Sequence, residues 1–137
     1  MDWKAKSPKY GDIIRTKVRF YHHYGIFASE SRIIQFGLPD DPMRTAEDIR
    51  VLVSDIDTFL QGGELEVGIP DSAQRKHMRS PKEIVAIAEG RIGEGGYDIL
   101  HNNCEHFVNC CAFGEHSSTF LEDVRQKLRK KLGKNNK

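Results

Sequence analysis

The sequence predicts an α+β fold in which an antiparallel sheet packs against helices. Two observations predict it. Strand-like segments fill the first half of the chain and helix-like segments the second, the order expected when strands pair among themselves and helices cover them. The clearest strand pair, residues 23–28 and 32–37, is joined by the turn-like Ser29-Glu30-Ser31 and reads as a hairpin.

The elements follow in order. Residues 1–10 read as a loose, polar lead-in, and Gly11-Asp12 opens the β-rich stretch. Ile13-Ile14 and Val18-Arg19-Phe20-Tyr21 are strand pieces. His23 to Ala28 is a strand, and Arg32 to Gly37 is its return. Pro39-Asp40-Asp41-Pro42 breaks regular structure. Ile49 to Val53 reads as a strand, Asp55 to Leu60 as one or two helical turns stopped by Gly62-Gly63, and Glu64 to Ile69 as an alternating strand. Ser80-Pro81-Lys82-Glu83 starts a helix, with a capping serine, proline at the first helical position and an acid where a capping box wants one. Ile84, Val85, Ile87, Ala88 and Ile92 give that helix an apolar face, and Gly93 ends it. A second helix is expected from Cys104 to about Phe113, capped by Asn103. A third, amphipathic and basic, is expected from about Ser117 to Leu132.

Length and composition narrow the function classes. The chain has 137 residues, 38% hydrophobic and 30% charged, with a formal net charge of +1, which suits one globular domain. A balance this neutral does not point to nucleic acid, and no base-reading motif accompanies the seven Lys or Arg that lie between Arg125 and Lys137. No run reaches the roughly 20 apolar residues of a membrane-spanning helix, and Met1 to Tyr10 lacks the apolar core of a signal peptide, so a cytoplasmic protein is expected. Three cysteines, Cys104, Cys110 and Cys111, are an odd number within eight positions, a poor disulfide framework.

One constellation has the makings of thiol chemistry. A nucleophilic sulfur needs help to ionise, a base for its proton and a third group to orient the base. Cys104 sits at an expected helix start, where unpaired N–H groups and the helix dipole favour negative charge and an oxyanion. His23 begins a strand, and Gln35, on the return strand, falls roughly opposite it. Facing Cβ atoms in an antiparallel pair are about 4.5–5.5 Å apart, so Gln35 is in reach to hold one ring nitrogen while the other faces Cys104. Tyr24 is expected on a pocket wall, His22 on the opposite side of the strand, Glu105 as a dipole-favouring acid and His106 as a structural hydrogen-bond partner. The set His101, Cys104, His106, Cys110, Cys111 and His116 lacks the short paired spacing of structural zinc sites, so neither a metal nor another cofactor is expected.

The run Asn102-Asn103-Cys104-Glu105-His106-Phe107-Val108 resembles the cysteine box of the lecithin:retinol acyltransferase family, which includes small phospholipase/acyltransferases. Upstream, Gly11-Asp12-Ile13-Ile14, Phe20 to Phe27 and Arg32-Ile33-Ile34-Gln35 resemble that family's first block. Ser80 to Tyr97 resembles its helix and Gly-rich approach to the cysteine. The resemblance implies a circularly permuted papain-like fold with a catalytic domain over residues 10–116, followed by a basic amphipathic helix and tail over 117–137. It implies a thioester acyl-enzyme on Cys104, His23 as general base, acyl-lipid esters as donors, and water, an alcohol or an amine as acceptor. Tyr24 and Asn103 join Cys104, His23 and Gln35 as the candidate site.

Two departures stand out. The family's second histidine is Gln35 here, and the sequence carries no counterpart of the C-terminal membrane anchor of many animal relatives, which suggests a soluble, bacterial-type member. The basic C-terminal helix is then the candidate for peripheral contact with anionic lipid. Two other readings stay open: an amidase or peptidase of the same fold acting on peptide or cell-wall fragments, and a binding or regulatory domain with weak catalysis.

Overall fold

The structure is a computed structural model and describes residues 1–18, 21–37, 45–98 and 103–114. Six strands form one antiparallel sheet: β1 (Asp2–Lys4), β2 (Ile13–Val18), β3 (Tyr21–Ser29), β4 (Arg32–Gly37), β5 (Arg50–Ser54) and β6 (Glu66–Ile69). Their spatial order is β1-β6-β2-β3-β4-β5. Strands β2 to β5 are a meander in which each lies beside its predecessor. The chain then crosses back so that β6 pairs with β2, Ile14 opposite Val67, and β1 adds to the outside of β6. Four helices complete the described fold: α1 (Ile56–Leu60), α2 (Ser72–His77), α3 (Pro81–Gly90) and α4 (Cys104–Phe113). The α+β class and the sheet packed against helices are as the sequence predicts.

Alternation along the strands divides the core in two. On one face Ile13, Ile26, Ile34, Phe36 and Val51 pack against Ile84, Val85 and Ala88 of α3 and Phe107, Val108, Cys111 and Ala112 of α4. On the other face Ile14, Phe27, Ile33 and Val67 lie under Phe59 of the short helix α1. Ile14, Ile26, Ile33, Ile34, Phe59 and Phe107 are fully buried. Each contributes roughly 1.5–3 kcal/mol relative to exposure, so the two-sided burial fixes the sheet between its helices.

The helix ends explain where α3 and α4 sit. Ser80 and Glu83 form a reciprocal capping box with Pro81 in the first turn, as expected. At α4 the Asn103 side chain accepts from His106 N (3.0 Å) while His106 Nδ1 accepts from Asn103 N (2.9 Å), a capping box with histidine in the place of an acid. At the other end of α4, Gly114 takes the left-handed conformation, φ 75°, and Arg79 donates to the carbonyls of Cys110 (2.7 Å) and Cys111 (3.1 Å). Arg79 immediately precedes the α3 cap, so one residue joins the two helices and satisfies carbonyls that the helix leaves open.

Several expectations change. The loose lead-in contains β1, paired Asp2 to Ile69 and Lys4 to Val67. Trp3 packs edge-on to Tyr24 (5.7 Å between centroids) and under the Arg15 guanidinium (4.2 Å). A three-residue strand carries no readable alternation, and tertiary contacts make it. Helix α2 is set by a capping box of Asp71 and Gln74 and buries no residue, so no apolar stripe announced it. Helix α3 stops at Gly90, three residues early, because the following turn pairs with β5 through Val51 N to Glu94 O (2.9 Å) and Gly93 N to Val51 O (2.7 Å). Strand β6 begins at Glu66 rather than Glu64. The expected helix at 117–132 and the basic tail lie outside the described residues.

Thr16 on β2 is fully buried, and among the described residues its hydroxyl has no hydrogen-bond partner. An unsatisfied buried hydroxyl costs about 1–3 kcal/mol, and valine has nearly the same shape. Thr16→Val is therefore expected to leave Tm unchanged or raise it by a few degrees in a thermal melt. A clear drop would show that the hydroxyl is bonded.

Candidate active site

His23 and Gln35 meet across the β3–β4 hairpin, and their register differs slightly from the sequence expectation. Ile26 pairs with Ile34, which puts Gly25 opposite Gln35 and leaves His23 two residues along on the same face. The hydrogen bond between His23 Nε2 and Gln35 Oε1 is thus a diagonal one. Gly25 makes the diagonal passable, since a Cβ there would stand 2.8 Å from the Phe59 ring and 3.0 Å from Ile33. The Phe59 ring lies 4.9 Å from the imidazole and covers its back. Gln35 in turn donates from Nε2 to Ser54 Oγ on β5 at 2.5 Å. His23, Gln35 and Ser54 form a polar line across three consecutive strands.

Cys104 arrives from the other face. Strands β3 and β4 pair only from Ser29–Arg32 back to Ile26–Ile34, although β3 continues to Tyr21 and β4 to Gly37. Where they part, a cleft of about 850 Å3 opens, lined by Tyr21 and His23 from β3, Gln35 to Gly37 from β4, Leu52 to Ser54 from β5, Tyr97 and Cys104. Cys104 is only 6% exposed. The thiol is 3.9 Å from the His22 carbonyl as its donor, and the backbone N–H groups of Tyr24, Cys104 and Glu105 lie near enough to favour its ionised form. The His22 carbonyl and the Tyr24 N–H belong to the stretch of β3 edge that β4 leaves unpaired. The sulfur takes the place of a strand for that carbonyl.

Burial dominates the electrostatics. It pushes the Cys104 thiol up to about 11; the three N–H groups oppose this, while Glu105 adds to it. The same effect lowers His23 below its ordinary value, partly offset by the Gln35 hydrogen bond. Burial raises Tyr97 to about 12, with a contribution from the neighbouring Cys104. A neutral thiol and a neutral imidazole therefore share the cleft at pH 7.

The remaining sequence candidates come to the sulfur by other routes. Tyr24 does not line the cleft. Its ring lies on the α4 side, against Trp3 and within hydrogen-bond reach of Arg15, which is itself paired with Glu66 at 2.9 Å. It reaches Cys104 through its backbone. Asn103 is 9% exposed and acts as the α4 cap. His22 alternates away from His23, as expected, and its carbonyl faces the sulfur. Sequence reasoning missed Ser54, Phe59 and Tyr21. Ser54 follows an apolar strand and precedes a helix, a position that reads as a turn, while Phe59 reads only as core. Among the described residues no group of three or more His, Cys, Asp and Glu gathers to hold a metal ion, and no helix is long and apolar enough to cross a membrane.

Two outcomes follow from this geometry. Gly25→Ala forces a methyl into the Phe59–Ile33 contact and is expected to lose roughly 1–3 kcal/mol in urea unfolding; an unchanged midpoint would show that the ring yields freely. A raised thiol value means less thiolate at neutral pH, so alkylation of Cys104 by iodoacetamide should accelerate with pH up to about 11. A plateau near pH 7 would contradict a protonated resting thiol.

The family model described as lecithin retinol acyltransferase matches residues 6–117. Lecithin retinol acyltransferase of Mus musculus is 27% identical over 132 residues, covering 82% of this chain and 57% of the mouse protein. The Homo sapiens protein of that name is 27% identical over 147 residues, covering 90% of this chain and 64% of its own length. Phospholipase A and acyltransferase 3 of Homo sapiens is 28% identical over 128 residues, covering 86% of this chain and 78% of the human protein. The chain thus spans less than two thirds of the lecithin retinol acyltransferases it matches. The match with the family model takes in the hairpin that carries His23 and Gln35 and the helix that opens with Cys104. The chain belongs to the lecithin retinol acyltransferase family.

Proposed function

We propose that the protein is a thiol-dependent acyltransferase or lipid acyl hydrolase that works through a thioester on Cys104. The observation that carries this reading is that Cys104, the first residue of α4, lines one cleft with His23, with backbone N–H groups nearby that favour a negative sulfur. The names of the relatives, lecithin retinol acyltransferase and phospholipase A and acyltransferase, support acyl-lipid donors. We read residues 10–116 as the catalytic unit and the order of base before nucleophile as that of a permuted papain-like scaffold.

In the proposed reaction the thiol turns from the His22 carbonyl toward His23. The imidazole takes the proton as sulfur attacks the ester carbonyl carbon, because a thiol near 11 beside a lowered imidazole favours transfer during attack over a standing ion pair. Backbone N–H groups at the start of α4 hold the oxyanion. As the tetrahedral adduct collapses, the carbon–oxygen bond to the leaving alcohol breaks and His23 returns the proton to it. Water, an alcohol or an amine then gives a proton to His23 and attacks the thioester, releasing the thiol. The cleft offers an apolar substrate arm contacts with Phe36, Ile49, Leu52 and Val53, which line it together with the polar Ser54, Asp55, Thr58 and Gln61. We assign the protein no resident cofactor and no nucleic-acid partner.

Incubation with phosphatidylcholine vesicles followed by intact mass spectrometry is the test. The expected result is an acyl adduct that hydroxylamine removes, that is absent in Cys104→Ala, and that forms at least about 100-fold more slowly in His23→Ala, the usual scale for general-base loss. An adduct that persists in Cys104→Ala would end the proposal. Labelling by a γ-glutamyl peptide with none by lipid would move the assignment to an amidase of this fold.

A further inference from the structure

Resting on the reading of His23 as the base, the geometry points to Ser54 as the positioning residue that selects which imidazole nitrogen carries out the chemistry. A side-chain amide presents either a carbonyl or an NH2 group to a neighbour, and the two have opposite consequences for a histidine. A carbonyl facing His23 Nε2 can only accept, so Nε2 must carry the proton and Nδ1 must be the basic nitrogen. An NH2 group in the same place would require Nε2 to accept and would leave the proton on Nδ1. Gln35 alone has no preference between these states.

Ser54 removes the ambiguity. Its hydroxyl has one proton, which it donates to the Asp55 carbonyl at 3.1 Å. That leaves Ser54 Oγ as an acceptor toward Gln35 Nε2 at 2.5 Å. The amide NH2 is thereby turned to β5 and the amide oxygen to His23. The direction of the chain is set by the Asp55 carbonyl, which can only accept. That carbonyl is itself fixed as the N-cap of α1, where it takes the Phe59 N–H at 3.1 Å. The Asp55 carboxylate is engaged elsewhere, with Thr58 N at 2.8 Å. Orientation passes from a helix start on the sheet edge through a hydroxyl and an amide to the imidazole, without an ionised member.

This assignment separates Ser54 from a residue that only packs. A family histidine in place of Gln35 would supply ring nitrogens that can exchange a proton. The amide cannot do so, and its usefulness depends on which end faces inward. Ser54→Ala deletes the acceptor for the amide NH2 and frees the amide to turn over. Ser54→Thr keeps the hydroxyl.

The test reads the tautomer directly, by long-range 1H–15N correlation on histidine-labelled protein, with the His23 signals assigned from His23→Asn. Wild type and Ser54→Thr should show neutral His23 protonated at Nε2 alone. Ser54→Ala should add the Nδ1-protonated form and slow p-nitrophenyl butyrate hydrolysis about tenfold, the scale of one ordinary hydrogen bond. Ser54→Ala with the Nε2 tautomer intact and hydrolysis unchanged would overturn the assignment. The tautomer is read without substrate, so this result is distinct from failure of the acyl-enzyme reading, which would appear as equal turnover by Cys104→Ala and wild type.

Discussion

The whole site depends on two strands that stop pairing. β3 and β4 run side by side for a few residues and then separate, and the backbone groups along that edge must find other partners because a buried unpaired amide or carbonyl is costly. Helix α4 supplies the partner. Its first residue sits against the vacated edge, where its sulfur takes the place of a neighbouring strand for the His22 carbonyl and lies near the Tyr24 N–H. The gap thereby joins the two faces of the sheet. His23 belongs to the Phe59 side and Cys104 to the α4 side, and without the separation they would be divided by a continuous layer of backbone.

Uncharged polarity is the second theme. Among the described residues the His23 ring meets an amide and an aromatic ring, and the amide leads on to a hydroxyl and a peptide carbonyl. A neutral line of this kind orients an imidazole but supplies no counter-charge for an imidazolium, consistent with its lowered value. On the other face Arg15 is held between Glu66 and the Trp3 ring.

Much of the fold was legible because it rests on local signals. The β3–β4 hairpin, the Ser80–Glu83 box and the Asn103 cap all follow from residues within a few positions of one another. His23, Gln35 and Cys104 were legible as a group from the hairpin and the helix start, and the cleft brings all three together. What escaped has tertiary causes. β1 exists because β6 and Arg15 accept it, and α2 buries nothing that a pattern could reveal. The role of the Tyr24 backbone was hidden because residue type says nothing about a main-chain N–H. Ser54 was hidden because its partner, Gln35, is 19 residues away on a neighbouring strand, with nothing in the intervening sequence to couple them.

The meander order carries a consequence for assembly. Imidazole, amide and hydroxyl come from three successive strands of the meander, at most 31 positions apart in the chain, whereas the contact between Cys104 and His22 spans 82 positions. Short closures precede long ones on entropic grounds. As the chain is synthesised from its N-terminus, the imidazole and its supports therefore have all their partners well before the sulfur emerges. The cleft that holds both residues is therefore completed only when the last described helix docks.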